Sequence, residues 1–65
     1  MSRTITVRGM TCESCERTVE DAVEAVAGVT SVAADRTTET ATVEGDPELA
    51  ALLDAVEEAG YEALP

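Results

Sequence analysis

Polar and apolar residues alternate through Thr4-Ile5-Thr6-Val7-Arg8, the two-residue period of a half-buried strand with Ile5 and Val7 facing inward. Gly9 closes it. From Glu13 to Ala27 the apolar positions Cys15, Val19, Ala22, Val23 and Val26 recur in steps of three and four, which predicts one buried face of a helix, with Gly28 as its C-terminal stop. The opposite face carries Glu16, Glu20 and Glu24, a like-charge ladder expected to weaken the helix slightly, partly offset by Glu13 with Arg17 and Arg17 with Asp21. Val29 to Ala34 and Thr40 to Glu44 read as two strands of a hairpin joined by Asp35 to Glu39, with Val32, Ala34, Ala41 and Val43 inward. Gly45-Asp46-Pro47 then predicts a helix start, Asp46 as N-cap and Pro47 in the first helical position. Leu49, Leu52, Leu53, Val56 and Ala59 form the stripe of that helix, Gly60 ends it, and Tyr61 to Leu64 is a last strand.

The order βαββαβ implies an α+β, ferredoxin-like sandwich: a four-stranded antiparallel sheet with both helices on one face. The chain of 65 residues leaves no room for a second domain, so 1–65 is read as one unit. Its core must be thin, because eleven of the apolar residues are alanine, thirteen are Val, Leu or Ile, and Tyr61 is the single aromatic.

Charge narrows the function. Fourteen Asp and Glu stand against four arginines, Arg3, Arg8, Arg17 and Arg36, for a net charge of −10. Nucleic-acid binding needs clustered cations to displace counterions, and these arginines are scattered. Histidine is absent, which removes the ordinary general base near neutral pH and the imidazole metal ligand. No apolar run approaches the length that crosses a bilayer and no signal-peptide order opens the chain, so the expectation is a cytoplasmic protein. Carboxylates without lysine suit a halophile's protein, kept hydrated in molar salt where their repulsion is screened. The rival reading is an acidic face that docks on a basic partner.

Thiols supply what chemistry remains. Cys12 and Cys15 form a C-x-x-C pair between the first strand and the first helix, where unpaired amides and the helix dipole favour thiolates. Zinc normally takes four ligands, so two thiols without imidazole disfavour it. Cu(I) and Hg(II) accept two sulfurs. A bis-thiolate site around a monovalent ion keeps one negative charge, and the helix N-terminus with Arg17 is expected to stabilise it.

Gly9-Met10-Thr11-Cys12-Glu13-Ser14-Cys15, followed by Gly28-Val29, by Val43-Glu44-Gly45-Asp46-Pro47 and by Gly60-Tyr61, resembles the heavy-metal-associated domain. That family includes copper chaperones and the metal-binding modules of heavy-metal-transporting P-type ATPases. The resemblance implies Cu(I) held by Cys12 and Cys15 on an exposed loop. It also implies thiolate exchange with such an ATPase or another copper-accepting protein, with no enzymatic step. It further implies Met10 packed under the loop, Thr11 as a helix-cap candidate and Tyr61 beside the thiols. Glu16 departs from the family, where an apolar residue often follows the second cysteine as part of a docking rim.

Several alternatives stay open: mercury or another soft metal, a module cut from a transporting ATPase, and a metal-bridged homodimer. A thiol-disulfide oxidoreductase shares the C-x-x-C spacing. However, only eleven residues precede Cys12, where the thioredoxin pattern needs a βαβ unit. The reading further expects the more exposed Cys12 to meet a partner first.

Overall fold

In the computed structural model, which describes residues 2–65, the chain folds in the order β1 (Ser2–Arg8), α1 (Glu13–Glu24), β2 (Val29–Asp35), β3 (Thr40–Gly45), α2 (Leu49–Glu58) and β4 (Glu62–Leu64). The four strands make one antiparallel sheet in the order β2-β3-β1-β4. Both helices cover one of its faces. This is the ferredoxin-like sandwich that the pattern implies, and it places the C-x-x-C pair directly after the first strand.

The alternation in β1 has its expected consequence, since Ile5 and Val7 are buried and Thr4 and Arg8 are exposed. Val19 and Val23 from α1, Leu52 and Val56 from α2, and Val43 from β3 close over them without solvent contact. Met10, Ala41 and Ala63 complete this core, with Cys15, Leu53 and Tyr61 among the half-buried side chains packed against it. Ala22 and Ala59, expected in the buried stripes, are half-buried instead and line an open groove of about 580 Å³ between α1 and α2. Methyl groups are too short to close the space between two helix axes.

Three expected caps move. Helix α1 ends at Glu24, with Ala25 as C-cap, so Gly28 lies beyond a further turn and is not the helix stop. Cys12, rather than Thr11, occupies the N-cap position, in extended geometry and without a side-chain cap. Helix α2 starts at Leu49 behind Glu48, two residues past the Asp46-Pro47 start that turn chemistry suggests. The reason is tertiary: the Asp46 amide donates to the Gly28 carbonyl at 2.9 Å, and Pro47 is buried, which commits both to the junction between the halves. At that junction Gly45 (φ +115°) cannot be replaced, because a Cβ there would lie 2.1 Å from the Gly28 carbonyl oxygen.

Gly60 does stop α2. With φ +99° its amide donates to Glu57 and that of Tyr61 donates to Val56, the paired bonds of a Schellman closure. This closure fixes where Tyr61 leaves the helix.

Candidate metal site

The loop from Gly9 to Cys12 lies at the end of β1, beside the β2–β3 turn, where the Val7 amide donates to the Glu39 carbonyl at 2.8 Å. Met10 is 8% exposed, so the loop is anchored from below by a thioether side chain in the core rather than presenting it outward. Cys12 is exposed and Cys15 half-buried, both as free thiols with their sulfur atoms 3.6 Å apart. That separation is far beyond the roughly 2.05 Å of a disulfide. The Cys12 carbonyl accepts from the amides of Cys15 (3.0 Å) and Glu16 (3.3 Å), so the pair is tied into the first turn of α1 by backbone bonds. Among the described residues no group of three Cys, Asp or Glu gathers, which leaves this site two sulfur donors.

The two thiols differ in surroundings. The Cys15 thiol is held down to about 6, from an ordinary 9.0, first by the Tyr61 hydroxyl, then by the Thr11 backbone and hydroxyl and by the Cys12 backbone, against a smaller opposing effect of desolvation. Thr11 Oγ1 is 3.7 Å from Cys15 Sγ, consistent with its position one helical turn earlier. The Tyr61 phenol is pushed up in return, chiefly by its hydrogen bond to Cys15, with desolvation and the thiolate charge adding to the effect and Thr18 opposing it. Arg17, assigned a share in stabilising the thiolates, is exposed and is not among the groups that depress Cys15. Neutral hydroxyls and amides do that instead.

Thr11 is therefore displaced from its expected role as a cap and acquires another, as a donor to the thiol. Its spacing of four residues before Cys15 was the signal available in the sequence. The Tyr61 ring lies close over Gly9, where a Cβ would come within 3.5 Å of it, so the ring packs on the Gly9–Cys12 loop as well as on the core.

Glu16 does not project as a solvated residue of the ladder. Its carboxylate accepts from the Arg36 amide at 2.7 Å and pairs with the Arg36 guanidinium at 3.1 Å, across to the β2–β3 turn. This is the one ion pair among the described residues; the offsets expected from Glu13, Arg17 and Asp21 do not form. The residue after the second cysteine thus braces the loop end of the domain.

Known proteins are similar to this chain in sequence and fold. The chain is 51% identical over 57 residues to copper-transporting ATPase 2 of Rhizobium meliloti (strain 1021), a stretch that is 85% of this chain and 7% of that much longer protein. Among solved structures it superposes on the CopZ metallochaperone with a TM-score of 0.92 and 28% identity, covering 98% of this chain and 100% of that one. It also superposes on oxidized MerP from Ralstonia metallidurans CH34 with a TM-score of 0.88 and 35% identity, covering 97% and 92%. The heavy-metal-associated domain matches residues 4–62, nearly the whole of the fold, and the chain belongs to that family.

Proposed function

We propose that this domain is a carrier of Cu(I), which it binds between Cys12 and Cys15 and passes to a heavy-metal-transporting P-type ATPase or another copper-accepting protein. The observation that carries this reading is the pair of free thiols 3.6 Å apart at a helix start, one already biased toward thiolate and the other exposed. In transfer, one thiolate of the partner bonds to the metal as the bond to Cys12 breaks, and a second partner thiolate then bonds as the bond to Cys15 breaks. Copper stays Cu(I) and no covalent bond of a substrate changes, so the domain is a carrier and not an enzyme. Action in the cytoplasm is part of this proposal, since both thiols must be reduced to bind the metal; no helix is long and apolar enough to cross a membrane.

Anaerobic titration of the reduced protein with Cu(I) against a competing chelator, read by native mass spectrometry, tests this. One copper per chain is expected, or one shared by two chains if four thiolates bridge it. Insulin reduction without copper retention would instead establish a disulfide exchanger. Two sulfur donors suit Hg(II) as well, so mercury in place of copper is a second reading, and Hg(II) retained under conditions that strip Cu(I) would establish it.

The acidic surface is read as a solvation device for molar salt, as in a halophile's protein. With a net charge of −10 and one ion pair among the described residues, repulsion in dilute buffer is left to salt to screen. The melting temperature is expected to rise between low and molar KCl. A flat response would make the same carboxylates a docking face for a basic partner.

A further inference from the structure

Cys12, Cys15 and Glu16 stand at i, i+3 and i+4 on the start of α1. Residues at those separations are neighbours on one face of a helix, and helical side chains lean toward the N-terminus, so the spacing brings a carboxylate within reach of the thiol pair. The backbone is helical there, since the Glu16 amide donates to the Cys12 carbonyl at 3.3 Å. Glu13, the other carboxylate of this turn, is one residue from Cys12 and two from Cys15, separations at which helical side chains do not face each other.

Yet among the described residues no third donor joins the thiols. The Glu16 carboxylate is drawn instead to residue 36, where Oε2 accepts from the Arg36 amide at 2.7 Å and Oε1 from its guanidinium at 3.1 Å. Both oxygens thus have a donor, and the side chain is only 18% exposed. The turn that receives it is itself anchored. The Asp35 carboxylate accepts from the Thr37 amide at 2.8 Å, and the Glu39 carbonyl accepts from the Val7 amide at 2.8 Å, just before the Gly9–Cys12 loop. Arg36 therefore holds Glu16 from a fixed base.

What a free carboxylate would do there depends on the metal. Zinc accepts carboxylate oxygen as well as thiolate sulfur and fills four positions, whereas Cu(I) is satisfied by two soft sulfurs. Charge separates the two further. Two thiolates leave a monovalent ion with one net negative charge and a divalent ion with none; a carboxylate takes the first to two negative charges and the second to one. In a chain of net charge −10 the doubly negative copper centre is the less favourable.

We infer that Arg36 is a specificity-determining residue: by holding the Glu16 carboxylate on the β2–β3 turn, it withholds a third, hard donor from Cys12 and Cys15 and so biases the pair toward Cu(I) and against Zn(II). The inference rests on the carrier function proposed above, which makes the thiol pair the metal ligands. Arg36 acts through Glu16 and not on either sulfur.

The test sets Zn(II) against a chromophoric chelator on the reduced protein, with Cu(I) competition on the same samples. Arg36→Ala removes the guanidinium and leaves the amide. Arg36→Pro removes both donors, at a position after the extended Asp35 that suits a proline. Zn(II) retention is expected to rise about fivefold in the first and about tenfold or more in the second, the scale of one or two hydrogen bonds to a partly exposed charged group. Cu(I) retention should rise in neither. Adding Glu16→Ala to either variant should return Zn(II) retention to the parent's value. With Co(II) in place of zinc, the visible bands should change between parent and Arg36→Ala and revert in the double variant, a signature of the donor set that altered fold stability would not give. Equal zinc retention in the parent and both Arg36 variants would overturn the inference, as would a gain that survives Glu16→Ala. Cu(I) retention by the parent reports separately on the carrier reading.

Discussion

A Cys15→Ser variant is expected to keep the fold and lose Cu(I) to a chelator that the parent resists. Serine preserves the shape of a half-buried side chain while removing one of two soft donors. The pH dependence should report the same residue. With the Cys15 thiol held at about 6, a metal arriving at neutral pH meets mostly thiolate there. Below that value each further pH unit should cost an additional tenfold in apparent affinity. The consequence for folding has the same sign. Because the folded value lies below the ordinary 9.0, the thiolate's stabilisation is complete above 9.0, declines as pH falls, and is gone below about 6.

Tyr61→Phe removes the largest single cause of that depression. The Cys15 midpoint should move back toward 9.0, and proton competition with the metal should begin at correspondingly higher pH. Alkylation rate against pH, measured in a Cys12→Ser background so that only Cys15 reacts, reads the midpoint directly because the thiolate is the nucleophile. Coincident profiles with and without the Tyr61→Phe change would remove the phenol from this role. The same Cys12→Ser background tests the order of exchange: as the exposed thiol, Cys12 should be engaged first, and transfer as fast as the parent's would contradict that order.

The second large effect concerns the core. Leu52 is completely buried where α2 meets the sheet, and it is the largest aliphatic side chain that α2 contributes there. Leu52→Ala removes three carbons and leaves a cavity that flanking valines cannot fill, at a cost of about 2–5 kcal/mol. A domain of this size has on the order of 3–10 kcal/mol in all. The variant should therefore be partly unfolded at room temperature in dilute buffer. Its urea midpoint, set beside that of the exposed neighbour change Glu57→Ala, checks this; a loss no larger than the surface variant's would show that the alanine-rich core is not limiting.

How far the sequence reaches differs from element to element. Ile5 and Val7, the leucine stripe of α2 and the Gly60 stop are local patterns, and each has a local cause: side-chain alternation, helical period, and a positive φ closing a Schellman pair. Cys12 and Cys15 were legible for the same reason, since three residues of chain suffice to bring two thiols together at a helix start. Position in sequence also gave the greater exposure of Cys12.

Contacts across the fold decided the rest. Asp46 was a sound N-cap by composition, yet its amide is held by Gly28, distant in sequence and adjacent in space. Tyr61 reaches Cys15 only because the end of α2 lies beside the β1–α1 loop, whereas Thr11 stands one helical turn before it. Glu16 and Glu20, repulsive neighbours when α1 is considered alone, become acceptors for the backbone at the end of the edge strand β2, while Glu24 stays exposed. The sequence by itself determined the elements, their inner faces and the thiol pair, because these depend on residues within a turn or two of one another. Only the tertiary structure decided which hydroxyls tune the thiol and which carboxylates are spoken for, because a hydrogen bond needs its donor and acceptor within about 3 Å, and spacing along the chain does not specify that.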